Sequence, residues 1–139
     1  MRDLTTLPTA YLHVHLESTV REDTAQELAD AHGVALLPRT GRYAGFAEFA
    51  EVNGAVRDCL RRPEDFARVA REFCADQAAQ GVRYAEVTFT AAAHGERLGD
   101  VELPLAAVLD GLAAGRAETG LAVQVLLDHP RRRSGACST

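Results

Sequence analysis

The sequence is short of several things, and each shortage removes a class of explanation. Aromatic residues make up only 6% of the chain, so a core must be assembled largely from small side chains, alanine above all. The three cysteines, Cys59, Cys74 and Cys137, are odd in number and form no CxxC pair. They read as reduced thiols of a cytoplasmic protein rather than a disulfide framework or a zinc knuckle. Cys59 and Cys74 read as small core residues carried on helices. Positive charge is scarce: 15 Lys and Arg against 20 Asp and Glu leave a formal net charge of −5. This argues against nucleic acid or an anionic membrane as the main partner, because phosphate recognition needs clustered cations. No apolar run approaches the roughly 18 residues of a membrane span. His13, His15 and Glu17 interrupt any candidate leader peptide. What remains is an ordinary globular balance, 47% apolar and 25% charged over 139 residues, enough for one domain with its own core.

The pattern along the chain alternates between two periods. After a lead-in punctuated by Pro8, residues 10–15 are rich in β-formers and predict a short strand. Thr19 is placed to cap a helix over 21–32, with Glu22 and Asp23 in its first turn and Gly33 just past its end. Residues 34–45, holding Pro38, Gly41 and Gly45, read as a loop. Phe46, Phe49, Val52, Val56 and Leu60 then follow helical spacing, weakened by Gly54. Pro63 opens a further helix whose stripe is Phe66, Val69, Ala70, Phe73, Cys74 and Gln77, closed by Gly81. Residues 82–90 form the clearest strand. Residues 91–103 read as a loop containing His94. Pro104 begins a helix with Leu105, Val108, Leu109 and Leu112, ending at Gly120, and residues 121–127 form a third strand. The tail, about 131–139, has neither period nor core residues.

Strands separated by helices imply right-handed parallel crossovers within an α/β fold. An open doubly wound sheet and a barrel both satisfy that order. No glycine-rich phosphate fingerprint follows the first strand, which removes the best support for the open sheet. A (β/α)8 TIM barrel takes about 250 residues. The expectation is therefore a partial barrel: the first three parallel strands with their helices, occupying the whole of 1–139.

His13 and His15 are the chemically loaded residues. Alternation along a strand puts both imidazoles on one face, with Cα atoms roughly 6.5–7 Å apart. Neutral imidazole is a good zinc ligand, and two rings so spaced can converge on one ion. They sit at the C-terminal end of the strand, where active sites of parallel α/β folds gather. Alone, His-x-His is weak evidence. Its setting is not: Leu7 and Pro8 precede Leu12, His13, Val14, His15, Leu16 and Glu17, and Arg21 with a helix follows.

This segment resembles the N-terminus of adenosine deaminases, members of the amidohydrolase superfamily. The likeness continues through Phe46 and Phe49, through Pro63, Glu64, Asp65 and Phe66, and through Gly81, Val82, Arg83, Tyr84, Ala85, Glu86 and Val87. It spans roughly residues 7–128. The resemblance implies a barrel with one Zn2+ at its C-terminal mouth. His13 and His15 match the first two metal ligands, and His15 also lies beside substrate. Glu17 matches an acidic substrate-contacting position, and Phe46 and Phe49 an apolar lid over a purine. It implies hydrolytic deamination, converting adenosine to inosine, on a small-molecule aminopurine with no nucleic acid or membrane partner.

Two departures bear on the substrate. Ser18 stands where the family has glycine, and Glu17 where many members have aspartate. Ser18 would reshape the substrate edge, and Glu17 looks more like the adenine-deaminase and adenosine-deaminase-like branches, so the competing substrate is another 6-aminopurine, of the adenine or aminofutalosine type. The family's remaining zinc ligands and its catalytic acid and base lie beyond the third strand, so no catalytic residue is assigned within this chain. His129 does not match the third ligand. His94 is expected to be a solvated loop residue, Glu86 an interior hydrogen-bonded or rim charge, His32 a helix-ending residue, and residues 131–133 a solvated surface. A truncated or shifted reading frame would account for the non-helical tail. The chain alone is expected to bind metal weakly, to deaminate nothing and to self-associate through its open edges. A non-catalytic α/β fragment is the competing reading.

Overall fold

The computed structural model describes Asp3 and residues 6–128. His129, residues 131–133, Cys137 and the tail lie outside the described residues. Strand β1 (Thr9–His15) leads through a 3₁₀ turn (Leu16–Thr19) to helices α1 (Glu22–His32), α2 (Phe46–Asp58) and α3 (Pro63–Ala79). Strand β2 (Val82–Phe89), helices α4 (Ala91–Leu98) and α5 (Leu103–Thr119) and strand β3 (Ala122–Leu127) follow. The three strands form one parallel sheet in the order β1-β2-β3. This is the α/β arrangement with which a TIM barrel begins.

The two faces of the sheet have different work. Ala85, Val87 and Phe89 of β2 point to the helices and are completely buried, with Val14 and Val123 beside them. Tyr84, Glu86 and Thr88 alternate onto the opposite face. His15, Thr88 and Leu126 pair across the three strands in one row of that face. Tyr84 donates to Glu86 Oε1 at 2.8 Å, so Glu86 is a half-buried, hydrogen-bonded carboxylate.

Helix α3 is the main prop of the sheet. Its stripe of Phe66, Val69, Ala70, Phe73, Cys74 and Gln77 is buried throughout. Asp65 anchors its start: Oδ2 accepts the backbone N–H groups of Arg61 and Arg62 at 3.1 and 2.9 Å. His32, in the last turn of α1, donates to the same oxygen at 2.8 Å. Helix α5 lies against α3 through small residues. A Cβ on Gly111 would strike the backbone of Ala67, and one on Gly115 would sit 2.5 Å from Cys74 Cβ. Of the large apolar residues of α5, Val108 and Leu112 are buried while Leu109 is 47% exposed. Burial pushes the Cys74 thiol up to about 11 and raises that of Cys59, so both are inert core residues. Cys59 caps the end of α2 rather than lying within it.

Two expectations fail. Thr19 does not cap α1: its hydroxyl donates to Leu16 O at 2.7 Å inside the 3₁₀ turn, and Arg21 holds the cap position without a side-chain bond. Residues 91–98 are not a loop but the helix α4. That helix has eight residues, three consecutive alanines and an internal Gly95, so no apolar stripe announces it. Gly95 serves a close turn, since a Cβ there would lie 2.9 Å from Val101 Cα.

Candidate functional site

The site grows out of an irregularity in β1. Tyr11 pairs with Ala85 and Val14 with Val87, so three steps on β1 span two on β2. The extra residue is a β-bulge, and within it His13 takes φ 59°. Left-handed backbone is uncommon for any residue but glycine, and bulges beside sites re-aim side chains. Simple alternation would put Tyr11, His13 and His15 on one face. The bulge changes the phase, so that Val14 joins the helix-side core with Tyr11's row while His15 faces away from the helices. The His13 and His15 rings nevertheless share a side, with centroids 5.6 Å apart and planes at 86°. The two imidazoles lie close together on a kinked strand instead of a straight one.

Leu16, completely buried, pins the next turn, and the turn carries Glu17 beneath the strand end. A cleft of about 290 Å³ opens there, lined by His15, Glu17, Ser18, Phe46 and Phe49 together with Asn53, Arg57, Thr90 and Asp128. All four residues singled out as substrate contacts thus border a single space. Phe46 and Phe49 lie at the start of α2 with rings 6.3 Å apart, and Tyr43 meets Phe49 edge-on at 5.4 Å. Phe46 is 82% exposed, so the aromatic wall stands at the cleft rim, not over a sealed pocket. Tyr43, Asn53, Arg57, Thr90 and Asp128 carry no motif that points to them. Only the fold brings them here.

The largest surprise is His94. Far from being a solvated loop residue, it is fully buried. It stacks on Phe89 (centroids 5.2 Å, planes 18°) and meets Phe66 edge-on at 5.1 Å. Its Nε2 lies 2.9 Å from Glu17 Oε1 and its Nδ1 3.0 Å from Arg97 Nη2. Glu17 is therefore not a free carboxylate: one oxygen is occupied inside the protein. Arg97 Nη2 also donates to Leu60 O and Arg57 O at 2.5 and 3.1 Å. Burial draws the Arg97 pKa below that of an ordinary arginine, against the pull of Asp58.

Among the described residues, no group of three or more His, Cys, Asp or Glu is placed to hold a metal ion. The donor chemistry of His13 and His15 suits zinc, but they amount to part of a ligand set, since catalytic zinc takes three protein ligands and water.

The sequence model of the family described as adenosine deaminase matches residues 8–139. The chain belongs to that family. It is 33% identical over 136 residues to a putative adenosine/adenine deaminase of Streptomyces virginiae, covering 91% of this chain and 40% of that protein. It is 33% identical to an aminodeoxyfutalosine deaminase of Streptomyces coelicolor, covering 89% and 34%. Among solved structures, an amidohydrolase from Burkholderia ambifaria with bound Zn superimposes with a TM-score of 0.71 at 26% identity, covering 88% of this chain and 36% of that one. The chain spans about 40% or less of the length of these relatives. By family it is a segment of an adenosine-deaminase-type protein, and its three parallel strands match the start of an amidohydrolase barrel. No described helix is long and apolar enough to cross a membrane.

Proposed function

We propose that this chain forms the N-terminal part of a cytoplasmic, zinc-dependent hydrolase that deaminates adenosine to inosine. The reading is carried by one observation: His15, Glu17, Phe46 and Phe49, far apart in sequence, border the same cleft, with the His13 ring 5.6 Å from that of His15. His13 and His15 are proposed to hold the metal through neutral ring nitrogens, which the lone-pair chemistry of imidazole and the shared side of the two rings support. A bound zinc ion would supply Lewis acidity, bringing the pKa of water toward ~7.

The remaining roles belong to the chain itself. Glu17 presents a carboxylate edge to the cleft and would accept a hydrogen bond from a substrate amine or hydroxyl. Phe46 and Phe49 offer aromatic faces to a flat heterocycle and would keep bulk water off one side of it. His15 borders both the proposed metal and the cleft, which fits a ligand that also orients substrate. Residues 1–139 would thus supply half of a metal site and one wall of a substrate site, with the carboxylic acid and base of the reaction outside them.

A second reading keeps the same chemistry on another 6-aminopurine. Ser18 on the cleft wall and the adenine and aminodeoxyfutalosine names among the relatives favour it. Ammonia release by the full-length protein from adenosine, adenine and aminodeoxyfutalosine separates the readings by the preferred substrate. Metal content measured alongside should be about one zinc per chain and should fall on His13→Ala. No turnover of any aminopurine would sink both.

A further inference from the structure

One buried titratable residue, His94, has no part in the roles above, and its surroundings determine its chemical state. The guanidinium of Arg97 has donors and no acceptor. Nδ1 of His94, 3.0 Å from Arg97 Nη2, is therefore the acceptor in that contact, sharing the two Nη2 protons with Leu60 O and Arg57 O. An imidazole whose Nδ1 accepts is neutral and carries its proton on Nε2. That proton points at Glu17 Oε1, 2.9 Å away, where a carboxylate can only accept. Every hydrogen bond in the chain Arg97 to His94 to Glu17 then runs in one direction. Phe89 stacks on the face of the imidazole and Phe66 meets it edge-on, which holds the plane of the ring.

We propose that His94 is a positioning residue, a neutral Nε2–H imidazole that clamps one oxygen of Glu17 and turns the rest of that carboxylate into the cleft. The inference rests on the assignment of that cleft as the substrate site. It gives a reason for a buried histidine so far in sequence from the histidines of the proposed metal site. Glu17 has rotatable bonds that would otherwise let its carboxylate swing, and fixing a group before binding removes that ordering cost from the binding step. The same Arg97 donates to Arg57 O and Leu60 O at the end of α2, the helix that carries Phe46 and Phe49. One network therefore ties the acidic wall of the cleft to its aromatic wall. The wall it presents is acceptor-only at Glu17, suited to a ligand with an amine or hydroxyl donor there.

The first test is spectroscopic and needs no turnover. Long-range 1H–15N spectra of this chain should show His94 neutral, protonated on Nε2, with that proton protected from exchange. Glu17→Ala should abolish the protection, and Glu17→Gln, which keeps an acceptor oxygen, should retain it. A proton on Nδ1, an imidazolium, or indifference to Glu17→Ala would overturn the inference. The second test is kinetic, in the full-length enzyme. His94→Phe keeps the aromatic stack but removes the donor, and should raise KM by about ten-fold or more with a much smaller change in kcat. His94→Gln, whose amide can donate to Glu17, should recover most of that loss. Equal losses in both variants, or a loss confined to kcat, would overturn the positioning role. Should His94→Phe fail to fold, the wild-type tautomer and its response to Glu17 decide alone. Absence of any aminopurine turnover by the wild type would sink the deaminase reading and not the tautomer. A wrong tautomer in an active deaminase would sink only this inference.

Discussion

The two faces of one three-stranded sheet differ more than any two distant parts of the molecule. On the helix side, Ala85, Val87 and Phe89 are completely buried, with Phe89 against Phe66 of α3 and His94 of α4. On the other, half-buried His15 and Glu86 and buried Thr88 lie beside apolar residues left in the open: Leu12 is 56% exposed and Leu126 45%. Residues one position apart along β2 therefore serve separate ends. The buried face supplies cohesion and the open face supplies chemistry. A parallel sheet is ordinarily covered on both sides. The open face and the two strand edges are surfaces of the kind that further strands and helices cover.

The comparison breaks most visibly on the buried side. Phe66 is fully buried, touching both Phe89 and His94. Phe66→Ala should cost about 3–5 kcal/mol, a large share of a typical domain stability of about 5–15 kcal/mol. Urea unfolding by circular dichroism would read this as a midpoint shift at unchanged slope. A loss below about 1 kcal/mol would mean that the helix-side core is not the cohesive one.

Next in size is the clasp between α1 and α3. Asp65 accepts two backbone N–H groups and the His32 donor with one buried carboxylate. Asp65→Ala leaves those donors unmatched and should cost about 1–3 kcal/mol. His32→Leu should cost less, because the backbone donors keep their acceptor. Equal losses in thermal melts of the two variants would show that the histidine, not the helix cap, carries the interaction.

Much of this was legible from residue order. The stripe from Phe66 to Gln77 and the strand at 82–89 announce themselves by period, and the order of elements dictates parallel crossovers. The His-x-His motif placed the candidate site at the end of β1. Three things were not legible. The bulge at His13 leaves no mark in residue type, since it is defined by pairing with a strand some seventy residues away. The α3–α5 contact is built on Gly111 and Gly115, whereas pattern reading searches for large apolar residues. His94 sits in a helix too short and too alanine-rich to show a stripe. Its burial depends on Phe66, Phe89, Glu17 and Arg97, which only the folded chain assembles.

A smaller effect should appear at alkaline pH. The Cys74 thiol, raised from an ordinary value near 9.0 to about 11 by burial, is neutral in the native state where the unfolded chain ionises. Its contribution to stability is therefore complete below about pH 9 and is lost as pH rises toward about 11. Stability measured between those limits should fall, and Cys74→Ala should flatten the slope even though it lowers stability at neutral pH. At pH 8 neither Cys59 nor Cys74 should react with a thiol reagent until the protein opens. An unaltered alkaline slope in Cys74→Ala would assign the loss to other groups.

The smallest stability change should accompany the largest chemical one, and this pairing sharpens the contrast between the faces most. His13 is exposed and His15 half-buried, both away from the sealed core. Replacing either by alanine removes little packing, and surface changes of that kind usually stay within about 0.5 kcal/mol. Alanine at position 13 keeps the Cβ that φ 59° strains, while glycine adopts that backbone freely. His13→Gly should therefore be the more stable of the two variants. Both should lower zinc affinity by at least about ten-fold in a competition titration, since half of the imidazole pair is gone. Melts that move by several kcal/mol, or zinc binding that survives both substitutions, would show that the open face holds the fold together after all and that the metal, if bound, sits elsewhere.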